Sequence, residues 1–429
     1  MAFQPLTVGS LSVTSIDPAE LIPDDLEAWQ ELATQQAAPA NPFLDPAWVL
    51  HWYEAFTDPG DRMLLRVHDV ATGGLLGVAP MHRQRLRVGP VGLAARLMPV
   101  GAGVGPNPFE IPGVLTAPGT ARDVMRPLVA ATLANGSDWC ELAMTQEQGW
   151  FEPEWLYETE LPVTFGDHQR PRACVILPLE STWDDTRRGL KRNLKESIRR
   201  SANRLAKDGR PWQVVHLTDD LDTEAVDRFL GLHQRRSANE RSTVRHPDAY
   251  SDPRARDLMR TALPELGRKG MASIFELHLD GEVVAAQLAL HMPGVSYVHS
   301  SGFDQAEWSL GPVTFLQAEL VKYAIARKDT VVNFSPGPNV SKLRWSRKLW
   351  VTHEFAYGCG PRSLQLRYAT YQTLSSLRAN ATAVRFVRQN ARAKRRDVSA
   401  KTVPAAVTFT VDPIVQKDPT PQQQVRPSA

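Results

Sequence analysis

The sequence predicts an α/β (α+β) chain of two similar halves, each with a mixed, mostly antiparallel sheet flanked by helices. Its 429 residues leave room for two or three domains of about 150 residues each. Hydrophobic residues make up 42% and charged residues 22%, a composition typical of a globular protein that buries a core. The same order of elements, an antiparallel hairpin followed by a strand, a helix and a strand, occurs twice.

The first copy of this order begins with two strand-forming runs, 63–70 and 75–82, which flank a turn at Thr72-Gly73-Gly74. After a further strand, a helix is predicted over Ala121–Ala134 and a strand over Asp138–Met144. These elements complete the first half.

The second copy has the clearer turn signal. Asp280-Gly281 lies between two strand runs and favours a type I′ hairpin, because both central residues of that turn need a positive φ. Pro312 suits the first position of a helix, where its missing N–H costs nothing. The predicted elements are strands Ser273–Leu279, Glu282–Met292 and Val295–Phe303, helix Pro312–Arg327 and strand Thr330–Phe334.

The halves are expected to meet near residues 160–175, because the segment Leu161–Arg172 lacks periodicity. We expect each half to carry its own central sheet. The predicted ranges are 1–165 for the N-terminal, acceptor-side half, 166–360 for the C-terminal, donor-side half, 361–400 for a basic helix and 401–429 for a disordered tail rich in Pro and Gln.

Composition argues against several kinds of site. The three cysteines are far apart and form no Cys-x-x-Cys, so we expect reduced thiols in the cytosol rather than disulfides or a zinc site. The eleven histidines form no ligand pattern, and no metal is predicted. The N-terminus has no basic segment followed by an apolar core, and no run of about 18 apolar residues occurs. We therefore predict a cytoplasmic protein with no signal peptide and no membrane span.

A strongly basic segment opens the second half. Between Arg187 and Arg210 there are ten basic residues against two acidic ones. Apolar residues recur there with helical spacing at Leu190, Leu194, Ile198 and Leu205. One face of the predicted helix should therefore pack on the protein, while cations crowd the others and repel unless anions neutralise them. The segment is either a binding helix for a phosphate-rich ligand or a solvated basic face.

Several motifs occur in an order found in one enzyme superfamily. They are Asn41-Pro42-Phe43-Leu44-Asp45-Pro46-Ala47-Trp48, Arg192-Asn193-Leu194-Lys195, Phe229-Leu230-Gly231-Leu232-His233, Leu279-Asp280-Gly281, Gly302-Phe303-Asp304 and the segment from Gly337 to Trp345. Together, over roughly residues 40–360, they resemble the CelD-like and Fem-like branch of the GNAT acyltransferases. Two departures stand out. Ser341 replaces an aromatic residue, and Trp308-Ser309-Leu310-Gly311-Pro312 replaces the glycine-rich loop that cradles pyrophosphate.

The resemblance implies two tandem GNAT-like domains and an N-acyltransferase of cytoplasmic bacterial type. An amine acceptor, either a small molecule or a cell-envelope precursor, would attack an activated acyl carbonyl. The co-substrate would be acyl-CoA or aminoacyl-tRNA, with no tightly bound cofactor. The degenerate loop weighs against coenzyme A at that position, and both donors stay open. The alternative is a catalytically inactive GNAT-fold binding protein.

Most candidate site residues lie in or beside these motifs. Asn107 and Glu110 instead lie in the stretch after the glycine-rich run Gly101–Gly105, which is expected to form a turn-rich loop of the acceptor pocket. Glu110 would bind the acceptor amine there or be a surface carboxylate. Lys342 is the preferred catalytic residue, as an oxyanion-stabilising cation, against the alternative of a surface lysine. Asp304 would act as a general base or simply cap the next loop. The predicted donor-binding residues are Arg192, Lys195, Gly311 and Arg344. The predicted acceptor-binding residues are Asn107, Glu110, His233, Arg236 and Trp345.

Overall fold

The computed structural model describes residues 3–36, 39–88, 91–105, 107–135, 137–145, 163–168, 171–238 and 248–374. Within these ranges fifteen strands form one sheet. The strands are β1 (Leu6–Val8), β2 (Leu11–Ile16), β3 (Arg62–Asp69), β4 (Leu75–Val88), β5 (Val91–Pro99), β6 (Leu115–Thr116), β7 (Trp139–Thr145), β8 (Phe165–His168), β9 (Arg172–Pro178), β10 (Trp212–Leu217), β11 (Ala272–Leu279), β12 (Glu282–Met292), β13 (Val295–Phe303), β14 (Val331–Pro336) and β15 (Lys348–Gly358).

Helices flank this sheet. They are α1 (Pro23–Thr34), α2 (Pro46–Phe56), α3 (Ala121–Ala134), α4 (Trp183–Gly189), α5 (Arg192–Asp208), α6 (Thr223–Ser237), α7 (Pro253–Arg268) and α8 (Pro312–Ala326). A further helix begins at residue 362 and is described through residue 374. The rest of the predicted C-terminal helix and the predicted tail lie outside the described residues.

The strand order is β1-β2-β3-β4-β5-β7-β15-β9-β14-β13-β12-β11-β10, with β6 beside β4 and β8 beside β15. The expectation of a separate central sheet in each half is corrected here, because the two sheets are continuous. The cause is β15, whose first part pairs with β9 and whose second part pairs with β7, the two registers meeting at Thr352. The last strand thus joins the halves.

The local predictions of the second half are confirmed. Asp280 and Gly281 have φ values of 52° and 85°, as a type I′ turn requires. Strands β12 and β13 have the predicted bounds, and α8 ends one residue early at Ala326. In the first half, α3 also has its predicted bounds.

The basic segment is not one helix. Leu190 has an extended backbone, with φ −69° and ψ 151°, and this residue ends α4 before α5 begins at Arg192. Within α5, Leu194 and Leu205 are buried, as the apolar spacing predicts. Leu190 is also buried, although it lies in the break rather than on a helix face.

One hydrophobic core spans both halves. It contains Trp29 and Trp52 from the first half together with Phe229 and Tyr297 from the second. The hydroxyl of Tyr297 donates a hydrogen bond to the carbonyl oxygen of Ala40 at 2.7 Å. Residues up to Tyr368 accordingly form one compact unit. The boundary predicted at residues 165 and 166 stays a prediction, because residues 146–162 lie outside the described part.

Candidate active site

Strands β13 and β14 lie parallel and then separate. Their pairing runs only from Val295 opposite Val331 to Tyr297 opposite Asn333. Beyond this stretch β13 pairs with β12, and β14 pairs with β9. Ser335 marks the divergence with a φ of 63°, unusual for a residue other than glycine, and its Oγ donates to the carbonyl oxygen of Val298 at 2.8 Å. We call the opening between the two strand ends the fork.

Lys342 lies at the fork, at the start of a short 3-10 turn over Lys342–Arg344. Its Nζ donates to the carbonyl oxygens of Ser335 at 3.2 Å and Pro336 at 2.7 Å. Burial lowers the pKa of Lys342, although the negative charge of Glu110 acts to raise it. Lys342 as a whole is half-buried, and its ammonium is bonded to these two carbonyl oxygens. These two hydrogen bonds use two of its three N–H donors, which leaves one for a ligand.

The connection between β5 and β6 reaches the fork from the first half. Asn107 holds it in shape, because its Nδ2 donates to the carbonyl oxygen of Gly105 at 3.1 Å and its Oδ1 accepts the N–H of Phe109 at 3.0 Å. The carbonyl oxygen of Pro108 then accepts from His299 Nε2 on β13 at 2.9 Å. Asn107, predicted to bind the acceptor, instead has its side-chain amide engaged with this connection.

The connection between β5 and β6 also positions Glu110 near the fork. Its carbonyl oxygen accepts from Arg172 Nη1 at 3.2 Å, which fixes the backbone. Its carboxylate atom Oε2 is buried and has no hydrogen-bond partner among the described residues. Its negative charge acts to raise the pKa of Lys342, which burial lowers. It also acts to raise the pKa of Tyr250, in the same direction as burial. The Glu110 carboxylate of the first half and the Lys342 ammonium of the second half are therefore close enough to interact electrostatically.

His233 and Arg236 of α6 converge on Ser301 of β13. His233 Nδ1 donates to the carbonyl oxygen of Ser301 at 3.1 Å, and its Nε2 accepts the N–H of Ala249 at 3.4 Å. Burial lowers the pKa of His233 to about 4, so the ring is neutral near pH 7. Arg236 Nη1 donates to Ser301 Oγ at 2.6 Å, and burial lowers its pKa. His233 braces the strand, while Arg236 brings a second cation near Lys342.

Other groups at the fork carry no sequence motif. Tyr250 and Ser300 place their hydroxyls 2.5 Å apart. Atom Nδ1 of the buried His299 has no hydrogen-bond partner in the described part of the chain. Burial raises the pKa of the Cys174 thiol to about 12, so it stays protonated. None of these residues lies in a sequence motif. His299 and Ser300 share β13, whereas Cys174 lies on β9 and Tyr250 precedes α7.

Two predicted site residues have structural roles. The carboxylate of Asp304 accepts the N–H of Ala306 at 2.9 Å and caps the 3-10 turn Gln305–Leu310, which is the capping alternative. Trp345 is only 3% exposed and stacks on Phe334 with ring centroids 5.1 Å apart. The prediction that Trp345 contacts the acceptor is corrected, because its ring is part of the core.

A basic surface cavity of about 660 Å³ lies over the first turns of α5. It is lined by Arg187, Arg192, Asn193, Lys195, Glu196, Arg199 and Arg200. Hydrogen bonds from Arg199 and Arg200 lower the pKa of Glu196 to about 2, so this carboxylate stays ionised and balances part of the charge. Cations still outnumber the acid five to one around the cavity. Arg192 and Lys195 therefore lie together where an anion would be attracted.

The other two predicted donor-binding residues contact α5 instead. Gly311 has a φ of 69°, and its carbonyl oxygen accepts from Ser201 Oγ at 3.3 Å. A Cβ added at Gly311 would lie 2.5 Å from Ser201 Oγ, so α5 closely covers this end of α8. Arg344 Nη2 donates to the carbonyl oxygen of Asn193 at 3.1 Å and to Ser197 Oγ.

Within the described ranges, no group of three or more side chains could hold a metal ion. None of the helices in the described part of the chain is both long and apolar enough to cross a bilayer.

Comparison with known proteins finds a matching domain family and solved structures with a similar fold. Residues 192–343 match the acetyltransferase (GNAT) domain family. No curated protein sequence matches the chain. The structure of FemX is similar, with a TM-score of 0.53 and 11% identity over 77% of this chain and 95% of FemX. This similarity is one of fold.

Two further solved structures have lower scores. L-PGS from Bacillus licheniformis has a TM-score of 0.46 and 13% identity over 82% of this chain and 96% of that one. A tandem GNAT protein from the clavulanic acid biosynthesis pathway has a TM-score of 0.39 and 12% identity over 80% of this chain and 98% of that one.

Proposed function

We propose that this chain, which carries a GNAT acetyltransferase domain in residues 192–343 and shares its fold with FemX, is an N-acyltransferase. It would transfer an acyl or aminoacyl group from an activated donor to an amine. The observation that carries the proposal is that Glu110 of the first half and Lys342 of the second lie close enough at the fork for the carboxylate charge to act on the ammonium. Acyl transfer to an ammonium acceptor needs a base and an oxyanion stabiliser within one site.

The chemistry divides between these two residues. Glu110 takes a proton from the acceptor ammonium, and the resulting amine attacks the acyl carbonyl. The third N–H of Lys342 donates to the carbonyl oxygen as negative charge develops there. A C–N bond forms, the bond from carbon to the donor's sulfur or oxygen breaks, and the leaving atom takes the second proton of the amine. Arg236 adds positive charge beside Lys342.

The donor is a phosphate-bearing molecule, acyl-CoA or aminoacyl-tRNA, bound at the cavity over α5. One support is the excess of cations around that cavity. The other is that Ser201 closely covers Gly311 at the N-terminus of α8, the kind of position where phosphates otherwise bind, so the donor phosphates would bind elsewhere. The acceptor is an amine of a small molecule or a cell-envelope precursor, and the reaction would take place in the cytoplasm.

A donor screen tests the proposal. Each candidate, acetyl-CoA, longer acyl-CoAs and a mixture of aminoacyl-tRNAs, is added at a saturating concentration while the melting temperature is followed. A true donor at a hundred times its Kd stabilises the folded state by about 2.7 kcal/mol, which is about 3 °C for a chain of this size. Transfer to a panel of amines is then measured by mass spectrometry. Stabilisation without any transfer would favour the inactive binding protein, and no stabilisation by any donor would contradict both.

A further inference from the structure

The turn Lys342–Arg344 connects the fork to the basic helix. It lies in the exposed connection between β14 and β15, in which residues 337–341 are largely solvent-exposed. Its own hydrogen bonds are all local. Lys342 N–H donates to Asn339 Oδ1 at 3.0 Å, and the N–H groups of Leu343, Arg344 and Trp345 donate to the carbonyl oxygens of Asn339, Ser341 and Lys342 at 2.8, 3.3 and 3.0 Å. A single 3-10 turn is a marginal element, so contacts from outside it help to fix its position.

Two cations fasten this turn to α5. Lys191, at the start of the helix, donates from Nζ to the carbonyl oxygen of Leu343 at 2.6 Å. Arg344 reaches in the opposite sense, from the turn to the carbonyl oxygen of Asn193 and the hydroxyl of Ser197. The side chain of Arg344 is half-buried, and its Nε atom is fully buried. The turn is therefore clamped from both sides.

The clamp is next to the catalytic candidate. Lys342 and Arg344 are two residues apart, yet the Lys342 ammonium points into the fork and the Arg344 guanidinium points to α5. Any motion of the turn away from α5 would withdraw Lys342 from the carbonyl oxygens of Ser335 and Pro336. At the same time, Nη2 of Arg344 is engaged with α5, and Arg344 does not line the basic cavity over that helix.

We infer that Arg344, held by Ser197 and assisted by Lys191, is a positioning residue that keeps Lys342 at the fork rather than a ligand for the donor. This inference rests on the proposed function for its catalytic consequence. Its structural part, the placement of the Lys342 ammonium, needs no donor to be tested.

The first test follows Lys342 itself. Lysines are labelled with a trace of acetic anhydride across an alkaline pH series, and the Lys342 peptide is quantified by mass spectrometry to give its apparent pKa. In Ser197→Ala and Arg344→Ala the ammonium should move into water, and its apparent pKa should rise towards the ordinary value of a lysine. Glu110, Cys174 and Arg236 face this ammonium and stay unchanged in both variants.

The controls separate positioning from folding. Ser201→Ala removes a hydroxyl from the same helix that contacts Gly311, so Lys342 should titrate as in the wild type. Ser197→Thr keeps a hydroxyl and should restore the wild-type titration. Alanine is favourable inside a helix, so Ser197→Ala is expected to fold. An unchanged titration of Lys342 in both Ser197→Ala and Arg344→Ala would overturn the inference.

The second test uses inorganic pyrophosphate as a probe of the basic cavity. Arg344→Ala should bind it with the wild-type Kd, whereas Arg192→Ala should bind it more weakly. With an active donor, Arg344→Ala should lower kcat by about tenfold to a hundredfold and change KM little. A large loss of pyrophosphate binding in Arg344→Ala would make it an anion ligand and overturn the inference. A shifted Lys342 titration in a protein without transferase activity would instead contradict the proposed function alone.

Discussion

Lys342 and Glu110 bring a cation and a carboxylate to half-buried positions at the fork, and among the described contacts they form no direct ion pair. Burying an ionised group costs several kcal/mol unless partners replace the lost water. For Lys342, the carbonyl oxygens of Ser335 and Pro336 replace part of the lost hydration. For Glu110, atom Oε2 has no partner among the described residues. Side chains held at such a cost are candidates for function rather than stability.

Lys342→Met tests this at the level of a single side chain. The change keeps most of the bulk and removes the charge and the donors. If Lys342 stabilises the transition state, kcat should fall by about 10²–10³-fold while KM for the donor stays within about twofold. The melting temperature should hold or rise, because a buried cation is lost. Steady-state kinetics and a thermal melt provide the measurements, and a rise in KM at constant kcat would instead make Lys342 a phosphate ligand.

Motifs in the sequence identified Lys342, Glu110 and Arg236, but they could not separate these residues from Trp345 or His233. The difference lies in how deeply each side chain is buried and in which direction it points. Trp345 stacks on Phe334, and His233 donates a hydrogen bond to the Ser301 carbonyl oxygen. Tyr250 and His299 were missed because they meet the site only through folding. Residue type and order along the chain do not encode which way a side chain points.

Elements differ in how well the sequence predicts them, according to the range of the forces that form them. The turn at Asp280-Gly281 and the start of α8 at Pro312 depend on backbone preferences of the residues themselves, and both were predicted. The break at Leu190 was missed, because its apolar side chain fits the helical spacing of α5. Pairing of β15 with two strands far away in the sequence leaves no local trace.

At the element scale, α5 should bind donor phosphates electrostatically. Arg192→Ala combined with Lys195→Ala should weaken donor binding and make the slope of log Kd against log salt shallower by about one to two. Lys207→Ala with Arg268→Ala removes the same charge from exposed positions outside the cavity, and should leave affinity and slope unchanged. Equal behaviour of the two double variants in a salt series would return α5 to the interpretation of a solvated basic face.

At the scale of the whole molecule, the shared core makes both halves one cooperative structure, and two buried histidines report on it. His82 of the first half and His233 of the second each have a pKa lowered to about 4 by burial. Each ring is neutral when folded and takes a proton near pH 6.5 when unfolded. The stabilisation is therefore complete above pH 6.5 and is lost as the pH falls towards 4.

Urea unfolding measured between these pH values tests this linkage. Each histidine should contribute up to about 3 kcal/mol to the loss in the free energy of unfolding on acidification. His82→Gln and His233→Asn keep an N–H for the carbonyl oxygens of Ala102 and Ser301, and either change should reduce the pH dependence. A single transition, altered by substitutions in either half, is expected. Two transitions, each sensitive to only one histidine, would contradict the shared core.

The position of β15 also governs how the protein is made. Strand β7 leaves the ribosome with β5 on one side, but its other neighbour is translated roughly 200 residues later, about 10–40 seconds at ordinary elongation rates. During that interval the nascent chain carries an open strand edge in the middle of its future sheet, the kind of edge that recruits other chains. The sheet of the N-terminal half is therefore completed among the last events of synthesis, when β15 pairs with the open edge of β7.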